Sequence, residues 1–176
     1  MNYLIDANNL AGKIGILDEE DFDMLLVEKI SKWLGDKQKK IILVFDSLEK
    51  MGDKRIDGEI ISIYTPRDEY YNNADDKIIE ITREWEDFIK DQDIKINKSL
   101  FELLDKEGLT FVSDDIDLTN KIEKVREEGV RVKIIKNDIF LDILDRKTNK
   151  ESEDGDRDLE SDEIKKINDE LLEKWT

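Results

Sequence analysis

The sequence belongs to an acidic chain that lacks both cysteine and histidine. Its 176 residues carry 46 acidic against 29 basic side chains. The net charge of -17 argues against a general nucleic-acid coat or an anionic-membrane binder, because long-range electrostatics would repel polyanions. Disulfides, Cys-based zinc sites and Ser-His or Cys-His arrangements are excluded, so an enzyme with this composition must use carboxylates.

Short β-rich runs alternate with helical patterns in the first half of the chain. Asn2 to Ile5 is a predicted strand, and apolar residues at helical spacing predict a helix from Phe22 to Leu34. The runs "KIILVF" and "GEIISIYTP" are the next predicted strands. A long amphipathic helix is predicted from Ala74 to Phe88. The first crossover, which contains Asn8 and Asn9, is predicted to be a turn.

The second half of the chain continues this alternation. Helices are predicted at Lys98 to Lys106, at Leu118 to Val125 and, more briefly, at Asp138 to Leu144. The runs "LTFV" and "RVKII" are predicted strands that lie between these helices. The pattern predicts an α/β fold, a three-layer α/β/α sandwich with a central, mainly parallel sheet, over residues 1–146.

The composition changes after Arg146. The stretch "ESEDGDRDLESDE", Glu151 to Glu163, has eight acids and one Arg and offers little to bury. We predict an acidic linker over residues 147–160 and an amphipathic C-terminal helix over residues 161–176. This helix is expected to dock on the body, with binding to a partner as the alternative. No apolar run approaches the length of a membrane span and no secretory leader precedes the first strand, so we expect a cytoplasmic protein without a membrane partner.

Acidic residues follow the predicted strands. Asp6 and Asp46 come directly after the first and second strands, Asp75 opens the helix after the third, and Asp114 follows the fourth. The carboxyl ends of parallel strands share one edge, so these side chains should converge there. Converging anions repel one another unless a cation compensates, and oxygen ligands favour Mg²⁺ or Mn²⁺. A single Asp at such a place is more often a helix cap, but four together favour a metal site.

Four motifs carry a resemblance to a known family. "YLIDANNLAG", "ILVFDS", "NNADDKIIE" and "TFVSDD" occur in the order of the PIN-like nucleases, and the chain is most similar to their NYN domain of the YacP-like type. The resemblance implies a Mg²⁺- or Mn²⁺-dependent ribonuclease whose catalytic acids, by matched position, are Asp6, Asp46, Asp75 and Asp114. Of these, Asp6, Asp75 and Asp114 would be metal ligands, supported by Asn9, Ser113 and Asp76.

Chemistry and resemblance together imply hydrolysis of an RNA phosphodiester by metal-activated water. Two features depart from the family pattern. The residues before Ala74 are "YNN", where the family has Gly-Glu-Thr, and the connection "EDFIKDQDIKINKSLFELLDKEG", Glu86 to Gly108, is longer than usual.

An acidic enzyme also needs contacts for RNA. Basic residues predicted near the same edge form a candidate RNA track, with Tyr70 and Tyr71 available for base stacking. Each alone is more simply a solvated loop residue, and a partner such as the ribosome or another protein is expected to assist. The predicted RNA-binding residues are Lys13, Lys50, Lys54, Arg55 and Arg67.

Two other classes of function compete with the nuclease. A non-catalytic NYN module that binds RNA or protein is supported by the altered "YNN" and the acidic tail. A haloacid-dehalogenase-like phosphatase is suggested by "DANN" and "SDDIDL", but Asn8 stands where its acid/base Asp is required. The nuclease is the preferred interpretation.

Overall fold

The structure, a computed structural model, describes residues 1–35, 39–47 and 52–154. Strands and helices alternate along the described chain as follows: β1 (Asn2–Asp6), α1 (Ala7–Lys13), α2 (Phe22–Leu34), β2 (Lys40–Asp46), β3 (Lys54–Asp57), β4 (Ile60–Thr65), α3 (Ala74–Ile89), α4 (Lys98–Phe101), β5 (Leu109–Val112), α5 (Ile116–Glu127), β6 (Val132–Ile135) and α6 (Asn137–Asp154).

The strands form a sheet in the order β3-β4-β2-β1-β5-β6. All neighbouring strands pair in parallel except β3 and β4, which are antiparallel. The predicted α/β class and mainly parallel sheet are therefore confirmed. From β1 the chain builds outward through β2 and β4 on one side, and then through β5 and β6 on the other. This reversal makes the carboxyl end of β1 a topological switch point, where α/β proteins commonly bind ligands.

Helices cover both faces of the sheet. Alternate strand residues point to opposite sides, so Ile5 packs on one face and Leu4 on the other. We call the side covered by α1, α2 and α6 the first face, and the side covered by α3, α4 and α5 the second face. Phe45 and Leu26 belong to the core of the first, and Trp85 belongs to the core of the second. This arrangement is compatible with a three-layer sandwich.

The segment after β1 is a helix, and the predicted crossover turn is wrong. Asp6 is the N-cap of α1, and its side chain accepts a hydrogen bond from the backbone N of Asn9. Leu10 and Ala11 are buried on the sheet-facing side of this helix. The cap and these buried positions stabilise a short helix despite the two asparagines.

The edge strand β3 was not predicted, because all four of its residues are exposed and show no apolar alternation. It forms a hairpin with β4 through Gly58 and Glu59, and Gly58 has a φ of 59°. Glycine adopts this backbone conformation without strain, and a glycine at the first central position is typical of two-residue hairpin turns.

Two helices differ from their predicted lengths. The helix predicted at Lys98 to Lys106 ends at Phe101, and beyond it the backbone O of Asp105 accepts a hydrogen bond from the Asn2 side chain. The last helix, predicted near Asp138 to Leu144, extends from Asn137 to Asp154 and so continues past Arg146 into the predicted linker. Residues 155–176, with the rest of that linker and the predicted terminal helix, lie outside the described residues.

In the part of the chain that the structure describes, no helix has the length and apolar character required to span a membrane.

Candidate functional site

Asp6 lies at the centre of the candidate site, at the carboxyl end of β1. It is 8% exposed. One carboxylate oxygen accepts a hydrogen bond from the backbone N of Asn9 at 3.2 Å, and the other accepts from the Ser113 hydroxyl at 3.1 Å. The strand and the helix that follows it therefore hold this carboxylate in a fixed position, as the sequence predicted for a residue at the end of a buried strand.

The environment of Asp6 disfavours its charged form. Burial raises its pKa from 3.8 to about 6, against the opposing effect of the hydrogen bonds from Asn9 and Ser113. The negative charges of Asp75 and Asp115 raise the pKa further. Asp75 opens α3 and Asp115 caps α5, so both acids lie near enough to the end of β1 for their charges to act on Asp6. A cation at this point would stabilise the ionised form.

A hydrogen-bond network joins the loops around Asp114. The side-chain oxygen of Asn9 accepts from the backbone N of Asp114 at 2.8 Å and from the Asn137 amide at 2.7 Å. The backbone N of Asn137 in turn donates to the Asp114 carboxylate at 3.1 Å. The Ser113 hydroxyl also accepts from the backbone N of Asp115 at 3.0 Å. Asn9 and Ser113 therefore orient the acidic segment that follows β5.

Basic side chains pair with three of the four predicted catalytic acids. Arg67 donates two hydrogen bonds to Asp46, at 3.1 and 2.6 Å. Lys121 lies 3.2 Å from Asp75. The third pair, Lys13 with Asp114, has a separation of 3.5 Å, and Lys13 also bonds Asp138 at 2.9 Å.

These ion pairs bear on the predicted metal site. Carboxylate oxygens have the chemistry that Mg²⁺ and Mn²⁺ prefer. Within residues 1–35, 39–47 and 52–154, however, no three acidic side chains are grouped so that they could hold a metal ion. In the arrangement described, Asp6, Asp75 and Asp114 are not grouped as metal ligands, and ammonium groups offset the charge of Asp75 and Asp114. The metal site stays a prediction.

The Asp76 side chain bonds the loop before α3 rather than the acids of the site. Its carboxylate accepts hydrogen bonds from the backbone N of Asn72 at 2.8 Å and from the side chain of Asn72 at 2.9 Å. Asn73 is the N-cap of α3, and its side chain accepts from the backbone N of Asp75. The unusual "YNN" thus closes the turn that starts α3, and the supporting role predicted for Asp76 is not seen in its contacts.

Comparisons of the chain with models of protein families, with curated proteins and with solved structures each found no match. The resemblance to PIN-like nucleases therefore rests on the motifs alone, and it stays a prediction.

The predicted RNA-binding residues are distributed over several surfaces. Lys13 and Arg67 lie at the site, but both are engaged by the acids described above. Lys54 donates to the backbone O of Ser99 on the second face at 3.1 Å, whereas Arg55 lies over the ring of Tyr64 on the first face at 5.7 Å. Because they point to opposite faces, Lys54 and Arg55 do not form one track. Lys50 is outside the described residues.

Two residues of the site were missed by the sequence reasoning. Asn137 opens α6 two residues beyond the end of β6, so the rule applied to the other strands would have found it. Lys121 lies inside α5, and its pairing with Asp75 depends on the packing of α5 beside α3. No local sequence signal predicts that contact.

Proposed function

We propose that this chain is a divalent-cation-dependent ribonuclease with a PIN-like fold. One observation carries the proposal: Asp6 is a buried carboxylate at the switch point of a parallel sheet, where burial, with the charges of Asp75 and Asp115 nearby, raises its pKa. Burying a carboxylate among other carboxylates costs stability, and such perturbed groups in clefts are candidate functional residues.

The basic partners set a condition on this proposal. Lys121 and Lys13 now pair with Asp75 and Asp114, so a divalent cation that uses these acids must displace the two ammonium groups. Ion pairs between partly exposed side chains contribute only about 0–1 kcal/mol. The binding free energy of a tightly bound dication can therefore exceed the loss of these two pairs. The proposal therefore predicts competition between Lys121 and the metal.

Cleavage of a labelled single-stranded RNA in the presence of Mn²⁺ or Mg²⁺ tests the function. We expect wild type to cleave the RNA, and Asp6→Asn, Asp75→Asn and Asp114→Asn to lose about 100-fold or more, since even outer-shell changes at metal sites cost about 10- to 100-fold. Asp93→Asn, an exposed acid away from the site, is the charge-matched control and should cleave like wild type. Wild type that cleaves no RNA and shows no metal-induced rise in melting temperature would refute the nuclease.

A non-catalytic binding module is the second candidate. The pairs of Asp46 with Arg67, Asp75 with Lys121 and Asp114 with Lys13 favour it, because they balance the acids without a metal. This candidate predicts RNA or protein binding that is unchanged by chelation and no cleavage by the purified chain.

The remaining predictions on the chain's surroundings belong to the same proposal. RNA is the proposed substrate, assisted by the ribosome or another protein, and the proposed compartment is the cytoplasm. RNA as the substrate is supported by the position of the acids at the sheet edge, where an extended single strand of RNA can reach them.

A further inference from the structure

A cavity of about 270 Å³ lies beside the carboxylate edge, on the second face of the sheet. Four segments enclose it: the start of β3, the end of β4, the loop before α3 and the segment that leads into α4. Thr65, which lines it, is the register partner of Asp46 on the neighbouring strand, and adjacent strands are only about 4.8 Å apart. The cavity is thus next to the proposed cleavage site. Its lining includes Lys54, Thr65, Tyr71, Lys77, Asn97 and Leu100.

One wall of this cavity comes from the long connection that departs from the family pattern. Glu84, a buried residue of α3, accepts hydrogen bonds from the backbone N of Ile96 and of Asn97, both at 2.9 Å. It also accepts from the side chain of Asn97 at 2.8 Å. The segment of Ile96 to Leu100 is therefore fixed in place by α3, which makes the cavity preformed.

The hydroxyl of Thr65 is unsatisfied. Thr65 is 1% exposed, and its Oγ1 has no hydrogen-bond partner among the described residues. A buried polar atom without a partner destabilises the folded protein, so this hydroxyl calls for an explanation. Thr65 is a wall residue of the cavity, and rotation of its side chain toward a ligand with a polar edge would supply the missing partner.

The composition of the walls favours a planar, partly polar ligand. Pro66, Ile96 and Leu100 provide apolar surface, while Asn97 and Ser99 provide polar groups. Lys54 lies at the exposed rim. Small-molecule sites combine mostly apolar walls with a few polar groups in this way, and a nucleobase has an apolar face and a hydrogen-bonding edge.

The overall charge favours such base contacts in an RNA enzyme. With a net charge of -17, the chain gains little affinity from the phosphate backbone. Pockets that hold individual bases supply affinity that does not depend on a basic surface. We propose, resting on the ribonuclease function above, that this cavity binds one nucleobase of the RNA next to the scissile bond, with Lys54 near its phosphate.

Titration with the four nucleoside 5′-monophosphates, followed by NMR chemical shifts in the presence of a chelator, tests this proposal. We expect at least one of them to bind with a Kd of about 1 mM or tighter and to shift residues that line the cavity. Thr65→Val keeps the side-chain volume but removes the hydroxyl, so it should weaken binding about tenfold and raise the melting temperature. Lys54→Ala should also weaken binding, while Lys133→Ala, an exposed lysine of β6, should not.

The outcomes separate this proposal from the ribonuclease function, because binding is measured without metal and without cleavage. Absence of binding by all four monophosphates at about 10 mM would overturn the base pocket even if the chain cleaves RNA. Binding that Thr65→Val leaves unchanged would overturn it as well. Binding that responds to both substitutions would support the pocket even if cleavage is never observed.

Discussion

Asp6 shows how burial and function conflict at a single residue. The carboxylate is held by a strand end, a helix N-terminus and a hydroxyl, yet burial still raises its pKa to about 6. Its charged form is destabilised because water is excluded and other acids are near. A residue with only a capping role would gain nothing from this environment.

The pH dependence of the free energy of unfolding measures how strongly the charged form of Asp6 is destabilised. Because the pKa of Asp6 is higher in the folded than in the unfolded chain, the folded state binds more protons between pH 3.8 and about 6. Stability from this group is thus lost as the pH rises through that window. In metal-free buffer, Asp6→Asn should be more stable than wild type at pH 8, by on the order of 2–3 kcal/mol, and equal to it below pH 3.8.

Urea unfolding across this pH range measures the effect. Asp93→Asn, which changes the same charge at an exposed position, should show no such pH-dependent gain. If Asp6→Asn gains as much stability at low pH as at pH 8, the ionised carboxylate of Asp6 is not destabilised in the folded protein.

Lys121 provides a second test at the level of one residue. It pairs with Asp75 at 3.2 Å, so its ammonium group competes with any cation that uses this acid. Lys121→Met should tighten Mn²⁺ binding about two- to fivefold, as expected from the loss of one partly exposed ion pair. Lys124→Met, on the same helix, is the control. Isothermal titration with Mn²⁺ gives both affinities, and equal values would mean that Asp75 is not a ligand.

At the level of elements, α1 connects the switch point to the other half of the sheet. Asn9 on this helix accepts hydrogen bonds from the backbone of Asp114 and from the side chain of Asn137, so it links α1 to the segments that follow β5 and β6. Asn8 accepts a single bond, from the backbone N of Asp46 at 3.0 Å. Asn9 therefore holds the segments that follow β5 and β6, and Asn8 holds the end of β2.

This difference predicts unequal costs of substitution. Asn9→Ala leaves two donors without an acceptor, and it should lower the free energy of unfolding by about 2–3 kcal/mol. Asn8→Ala leaves one donor, so it should cost about 1 kcal/mol less. Both changes replace Asn by Ala within the same helix, so helix propensity cancels in the comparison. Denaturant unfolding of the two variants measures the costs, and equal losses would contradict the network.

The elements that the sequence predicted are those with a buried apolar face. The helix from Phe22 to Leu34 and the strand after it were found because their periodicity reflects burial. The edge strand β3 and the short helix α1 were missed, since neither has such a pattern over its full length. Pairing with β4 stabilises β3, and the Asp6 cap with the buried Leu10 and Ala11 stabilises α1, so both elements depend on the tertiary structure.

The site was predictable to the extent that topology alone determines it. Parallel strands bring their carboxyl ends together, so Asp6 and Asp114 could be placed at one edge from their positions after strands. Which cation balances an acid depends instead on helix packing. The pairing of Asp75 with Lys121 across α3 and α5 could not be read from the sequence.

At the scale of the whole molecule, the negative charge limits how RNA can be held. If base contacts dominate and only about two phosphates are contacted, affinity for single-stranded RNA should fall about sevenfold between 50 and 200 mM salt. Fluorescence anisotropy in the presence of a chelator measures this without cleavage. A fall of about a thousandfold would indicate about seven phosphate contacts and contradict recognition through bases.

The central claim is that the acids at the switch point bind a divalent cation, and anomalous diffraction from a crystal soaked in Mn²⁺ tests it most directly. The account predicts an anomalous peak between Asp6, Asp75 and Asp114, about 2.1 Å from carboxylate oxygens, with Lys121 moved away from Asp75. A crystal with no peak at this edge, in which Lys121 still bonds Asp75 at saturating Mn²⁺, would contradict it.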